Sequence, residues 1–130
     1  AGDGTSGAVP ADGTDKATFK LGKPSGVAVT NSGDVLVQTA INPGIFLICT
    51  QSNNAPCSGK TVGSVYRVAG TGVAGNGPSN VAALDAPMGP VTAADAELEF
   101  GRLGIHPWTG HVYSADGDAR AIRLFTGIGR

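Results

Sequence analysis

The chain repeats itself, and this internal repeat constrains its fold more than any other feature of the sequence. Residues 1–10 align with residues 69–78, with an alanine, three glycines and a proline at matching positions. Further along, residues 26–35 align with residues 103–112, around a turn that ends in glycine in both copies. Such self-similarity indicates like units that stack on one another. The sequence therefore predicts two successive units, at residues 1–72 and 73–130.

Each unit contains short runs of alternating apolar residues, which is the pattern of β-strands. β-branched residues alternate with others, and Asn, Ser, Gly or Pro bound the runs. Strands are predicted at about 26–29, 34–38, 45–50 and 64–68 in the first unit, and at about 102–106, 111–115 and 120–125 in the second. Residues 80–85 and 93–98 look mildly helical, but both stretches are too short for a stable isolated helix. The chain is predicted to be all-β.

The composition narrows the classes of partner. Charged residues make up 15% of the chain and the net charge is −1. These values disfavour both charge-driven disorder and a nucleic-acid binder that relies on a basic field. No apolar run approaches the roughly 18 residues that a membrane span requires. We therefore expect neither nucleic acid nor a membrane span among the interactions of this chain.

The two cysteines, Cys49 and Cys57, enclose a polar loop. They form neither a CxxC nor a CxxCH motif, so the spacing does not support a zinc-ribbon, thioredoxin-like or haem site. A disulfide that closes the loop is the favoured interpretation, and it would place the protein outside the cytosol, as a secreted, extracellular or periplasmic protein. The alternative is two unpaired thiols, one of them buried in the apolar run 45–49.

Several segments resemble the blades of NHL-repeat β-propellers. They are residues 24–29, 68–72 and 110–116, together with residues 116–123, which resemble the Asp…Ile-Arg stretch of the third strand in that family. The resemblance implies a partial β-propeller built from four-stranded antiparallel blades. The first unit departs from the repeat in two ways: Gln38 and Thr39 stand where the family usually carries Ala-Asp, and a long insertion contains the cysteines.

The predicted strands do not complete a propeller. The first unit supplies four strands and the second supplies three, whereas closed propellers need four to eight blades. We therefore expect further propeller blades as partners, because repeat units of this kind are not stable in ones and twos. These blades would come from other copies in a symmetric ring, or from a longer polypeptide of which this chain is an excised piece.

Few residues are candidates for chemistry. His106 and His111 flank a turn and could act as metal ligands or as an acid–base pair, with His106 the candidate catalytic residue. The alternative is that both are ordinary turn and surface residues. Asp116 and Asp118 could offer oxygen ligands to Ca²⁺, or could belong to a turn between strands. No cofactor is predicted outright, and Ca²⁺ or a transition metal is what these side chains could bind.

The candidate binding residues are Trp108, Tyr113 and His111. Exposed aromatic residues on the loop face of a propeller would contact a partner, and Trp108 is the first candidate because it lies in a turn. Packing between neighbouring blades is the alternative role. The leading hypothesis is a secreted or periplasmic propeller module that acts as a protein- or carbohydrate-binding scaffold. The alternative is a fragment of a propeller enzyme, of lactonase or lyase type, with its site in the central channel.

Overall fold

The computed structural model describes residues 1–5, 7–75, 80–89, 100–116 and 121–129, and for residues 100, 101, 116 and 121 it describes the backbone alone. None of these residues is α-helical, and one short 3₁₀ turn occurs at Ala83–Asp85. The prediction of an all-β chain is confirmed, while the stretch 93–98 lies outside the described residues. Within the described part of the chain, no helix has the length and hydropathy that crossing a membrane requires.

The strands form two antiparallel sheets, which we call the first and the second sheet. The first contains β1 (Thr14–Asp15), β2 (Pro24–Val29), β3 (Val35–Thr39), β4 (Gly44–Ile48) and β5 (Ser64–Ala69), in the order β1-β5-β4-β3-β2. The second contains β6 (Phe100–Ile105), β7 (Val112–Asp116) and β8 (Ala121–Phe125), in chain order. The seven predicted strands are present. β1 was not predicted, because two residues are too few to show an alternating pattern.

Three of the four aligned glycine pairs of the two units, all except Gly7 with Gly75, share an unusual backbone conformation. Each has a positive φ, which a residue with a Cβ adopts only with strain. The pairs are Gly2 (95°) with Gly70 (85°), Gly4 (79°) with Gly72 (83°), and Gly33 (90°) with Gly110 (68°). At Gly70 space also excludes a side chain, since a Cβ there would lie 2.7 Å from the Pro43 carbonyl oxygen. The repeat in the sequence is therefore also a repeat of local geometry.

The first hairpins of the two units differ in length by one residue. Val29 pairs with Val35 across residues 30–34, whereas Ile105 pairs with Val112 across residues 106–111. Val29 is therefore equivalent to Ile105, although the sequence alignment places it opposite His106. The alignment was wrong by one residue on this strand, and a shift of one residue moves a side chain to the other face of a sheet.

The main core lies between the two sheets. Leu36, Ile45 and Leu47 of the first sheet are fully buried, and they belong to one apolar cluster with Val112 and Phe125 of the second sheet. Strand β6 contacts both β2 and β3 across this interface. Burial of each such side chain contributes about 1.5–3 kcal/mol, so packing of one sheet on the other stabilises the fold.

A second core covers part of the opposite face of the first sheet. Phe46 and Val65 pack there with Phe19 from the N-terminal segment, and the rings of Phe19 and Phe46 meet edge to face with centroids 5.4 Å apart. This cover does not extend to β2, where Val27 and Val29 remain 64% and 61% exposed. The first sheet therefore has one face covered by the second sheet and one face only half covered.

A side-chain hydrogen bond between two described residues crosses the main core. Ser114 Oγ donates to Gln38 Oε1 at 2.6 Å, and both residues are fully buried. Gln38 Nε2 has no partner among the described residues. Because a buried amide without partners costs free energy, this bond favours one placement of the second sheet, with Ser114 opposite Gln38.

We expect Ser114→Ala to lower the free energy of unfolding by about 1–3 kcal/mol, because the buried Gln38 amide would lose its Ser114 donor. Urea unfolding followed by circular dichroism measures this, with Ser58→Ala at an exposed turn position as the matched control. Adding Gln38→Met should restore most of the loss, since it removes the buried amide itself. Equal stability of Ser114→Ala and the control would contradict the role given to this bond.

Candidate functional site

Loops from both sheets meet at one end of the structure, which we call the loop end. They comprise residues 30–34, 49–63, 106–111 and 126–129. The Asn31 side-chain amide donates a hydrogen bond to the Pro107 carbonyl, and this bond joins a loop of the first sheet to a loop of the second. The Gln51 amide donates in turn to the Ser32 carbonyl. The loop end is therefore held together across the sheet boundary.

A cleft of about 210 Å³ opens between these loops, and we call it the Trp108 cleft. Asn31 and Ser32 line it from the first sheet, Pro107 and Trp108 from the second, and Ala55 from the loop between the cysteines. None of the described residues that line it carries a charge. Pockets for whole small molecules begin at roughly 300 Å³. The cleft therefore fits one ring or one end group of a ligand.

Trp108 stands at the tip of the turn between β6 and β7, with 80% of its surface exposed. Two backbone hydrogen bonds hold this turn, from Gly110 N–H to the His106 carbonyl and from His106 N–H to the His111 carbonyl. The His106 ring meets the indole edge to face with centroids 5.7 Å apart. Tryptophan is enriched among the residues that dominate binding energies. An exposed indole beside a cleft makes Trp108 the candidate anchor for a ligand.

The two histidines have different surroundings. His106 Nδ1 accepts a hydrogen bond from the Thr109 N–H at 3.3 Å, so this ring supports the turn that contains Trp108. His111 is half-buried, and its Nδ1 has no partner among the described residues. In the same part of the chain, no group of three or more His, Cys, Asp or Glu could hold a metal ion. The catalytic role of His106 and the metal-binding role of the pair stay predictions.

Of the other sequence-predicted site residues, Tyr113 lies outside the cleft. It lies on the outer face of the second sheet, 40% exposed. Asp116 ends β7, where the backbone alone is described, and Asp118 lies outside the described residues. The Ca²⁺ site suggested for these two carboxylates therefore stays a prediction.

Asn31 and Ser32 are cleft residues that the sequence reasoning did not single out. The signal that could have found them is the repeat, because the alignment places residues 31–32 opposite Trp108 and Thr109. Stacked repeat units contact their neighbours and bring equivalent loops side by side. When a functional residue is identified in one copy of a repeated turn, the equivalent turn of the neighbouring unit is therefore a candidate for the opposite wall of the site.

A buried carboxylate fixes the wall of the cleft that contains Asn31 and Ser32. Asp34 is fully buried, and its Oδ1 accepts hydrogen bonds from Thr50 N–H at 2.8 Å and Thr50 Oγ1 at 2.9 Å. Its Oδ2 accepts a bond from Ser32 Oγ at 2.9 Å. These bonds tie residues 30–34 to the loop that follows β4, because hydrogen bonds to a charged acceptor are stronger than neutral ones.

The predicted disulfide between Cys49 and Cys57 is confirmed, and both residues are buried. In the chain-entropy model, a cross-link over a loop of this length stabilises the fold by about 2–3 kcal/mol. Ala55 lies inside the closed loop and lines the Trp108 cleft. Two walls of the cleft are the turns that contain Asn31 and Trp108, and the third is the loop between the cysteines. The disulfide therefore restricts the third wall.

Comparison with protein-family models gave no match, and comparison with curated proteins gave none either. A function proposed for this chain therefore rests on its own residues.

We expect Asp34→Ala to lower the free energy of unfolding by about 2–3 kcal/mol, because the donors of Thr50 and Ser32 lose a buried charged acceptor. Chemical denaturation measures the loss. Asp85→Ala is the control, since Asp85 is an exposed carboxylate in the 3₁₀ turn, and we expect it to change stability by no more than about 0.5 kcal/mol. If both variants unfold at the same denaturant concentration, Asp34 does not have the bracing role assigned to it.

Proposed function

We propose that this chain is a module of an NHL-like β-propeller, secreted or periplasmic, that binds a protein or carbohydrate ligand at the Trp108 cleft. The observation that supports the binding role is the exposed indole beside an uncharged cleft at the loop end. The buried disulfide supports a location outside the cytosol, since such bonds persist in oxidising compartments. The alternative, a propeller enzyme with a site in the central channel, stays a prediction.

The exposure of equivalent residues in the two sheets supports the propeller assignment. In the first sheet, three apolar side chains are fully buried beneath the second sheet, and in the second sheet the residues at the same register positions are exposed. The pairs are Leu36 with Tyr113 (40% exposed), Ile45 with Ile122 (69%), and Leu47 with Leu124 (51%). A further sheet, placed on the second as the second lies on the first, would cover all three.

The opposite side of the pair of sheets supports the same assignment. Val27 and Val29 are exposed, whereas their register equivalents Leu103 and Ile105 are half-buried against the main core. An open groove of about 720 Å³ includes Val27 and the neighbouring part of the sheet. The exposed face of the first sheet is therefore equivalent to the face by which the second sheet packs on the first. The same packing would place it on the outer face of the second sheet of another copy. Head-to-tail contacts of this kind close into rings when the rotation allows.

For the isolated chain, we expect self-association through the outer face of the second sheet. The double variant Ile122→Lys/Leu124→Lys should abolish it, because an interface would desolvate two unpaired charges. Sedimentation velocity over a range of concentrations measures the mass of each protein. Leu84→Lys is the matched control, since Leu84 is an exposed apolar residue of the 3₁₀ turn outside both sheets. A wild-type chain that stays monomeric and unfolds cooperatively would contradict the propeller assignment.

The binding role is tested by selection of ligands from two sources, a glycan array and a random peptide library displayed on phage. We expect ligands selected by the wild-type chain to bind Trp108→Ala at least tenfold more weakly, as for an anchor residue. The same ligands should bind Tyr113→Ala with unchanged affinity, because Tyr113 is an exposed aromatic outside the cleft. Failure to select any ligand, or equal affinity for Trp108→Ala, would refute the binding role.

A further inference from the structure

We propose that the Trp108 cleft binds a neutral carbohydrate, with one pyranose ring of an uncharged glycan stacked on the indole. The inference rests on the binding function proposed for the cleft and names the chemical class of its ligand. The site consists of the exposed indole of Trp108, the amide of Asn31 and the walls between the two turns, whose described residues are uncharged.

The charge of the cleft favours a neutral ligand. Among the residues that the structure describes, its lining contains an amide, a hydroxyl, apolar side chains and backbone groups, with no Lys, Arg, Asp or Glu. Sites that recognise carboxylates or phosphates use Arg, Lys or convergent backbone donors, because a desolvated charge needs a charged or strongly polar partner. A phosphorylated, sulfated or uronic acid group would therefore lose hydration without such compensation, whereas a hydroxyl group would not.

The arrangement of apolar and polar groups matches the two-sided chemistry of a pyranose ring. One face of such a ring presents C–H bonds with a slight positive charge, and the face of an indole is negative. The hydroxyl groups around the ring require donors and acceptors in its plane. The Asn31 side chain offers two donors and one acceptor, of which the bond to the Pro107 carbonyl uses one donor. The volume of about 210 Å³ limits the site to one ring.

The position of the cleft disfavours the common modes of peptide recognition. Those modes use an open sheet edge, a long apolar groove for a helix, an aromatic-lined groove for polyproline, or a cluster of arginines. The Trp108 cleft lies among turns at the loop end, where residues 107–110 and 31–32 form no strand. Trp108 is the one aromatic residue among the described residues that line it. A single stacked ring with hydrogen bonds to its rim fits this surface better than an extended chain.

The walls of the cleft are fixed before a ligand arrives. The Asn31 amide is held by its bond to Pro107, the loop that contains Asn31 is tied down by Asp34, and Ala55 lies within the disulfide-closed loop. Preorganised walls reduce the entropy that binding costs. At about 0.3 kcal/mol per non-hydrogen atom, a single sugar would bind with an affinity on the order of millimolar, so oligosaccharides are the appropriate probes.

The test uses the intrinsic fluorescence of the chain, since Trp108 is its only tryptophan and lies in the site. The probes are neutral trisaccharides (cellotriose, maltotriose, mannotriose and triacetylchitotriose), the acidic trigalacturonic acid, and any peptide selected by phage display. Titration calorimetry measures the affinities for Trp108→Ala, which lacks the fluorophore, and for Trp108→Phe and Asn31→Ala. Circular dichroism confirms that each variant is folded. Tyr113→Ala is the control.

We expect at least one neutral trisaccharide to shift Trp108 emission saturably, with the same affinity at low and high salt. Trp108→Ala should weaken this binding at least tenfold and Asn31→Ala severalfold, while Trp108→Phe should retain part of it. A fluorescence change with the acidic sugar alone, or with peptides alone, would overturn the carbohydrate class and leave the binding function standing. No response to any probe would overturn both.

Discussion

A sheet with apolar residues on both faces cannot remain alone in water, and the whole structure follows from that constraint. In the first sheet, the period of two along β3 and β4 places Leu36 and Leu47 on one face and Phe46 on the other. The second sheet covers the former face, and the N-terminal segment covers part of the latter. The second sheet meets the same constraint, but in the described chain one of its faces is covered and the face with Tyr113 and Leu124 is not. A further sheet, as proposed above, would cover that face in the same way as the second sheet covers the first.

The Trp108 cleft depends on the packing of the sheets, because its walls belong to both of them. The bond from Asn31 to Pro107 forms only if β2 and β6 lie side by side. Whatever binds between these walls binds the packed pair of sheets and not the separated ones, so a ligand stabilises the interface by mass action. Substitutions in the main core should therefore weaken ligand binding even where they lie far from Trp108, and the ligand should protect the interface against unfolding.

The parts of the structure that the sequence could predict are those controlled by local pattern. Alternation of apolar residues located seven strands, and the eight-residue spacing of Cys49 and Cys57 suggested their pairing. The hairpin register could not be predicted from the alignment, because one extra residue in the turn before His111 leaves the apolar pattern intact and changes only which residues face each other. Of the residues that line the cleft, the sequence pointed to one. Trp108 was recognised from its type and its turn, but the opposite wall arises from contacts between units, which no local pattern reports.

The buried pair of Gln38 and Ser114 determines the order in which sheets of this kind can stack. By register, the equivalent of Ser114 in the first sheet is Val37, and the equivalent of Gln38 in the second sheet is Ala115. If a second copy placed its own first sheet on the Gln38 face, the amide would meet Val37 and lose its hydrogen bond in the core, at a cost of about 1–3 kcal/mol. On the outer face of the second sheet, Ala115 would meet Val37 and leave no polar group unpaired. The polar pair therefore reserves the inner junction for the chain's own second sheet and directs any additional sheet to the outer face, where Ala115 places no amide in the contact.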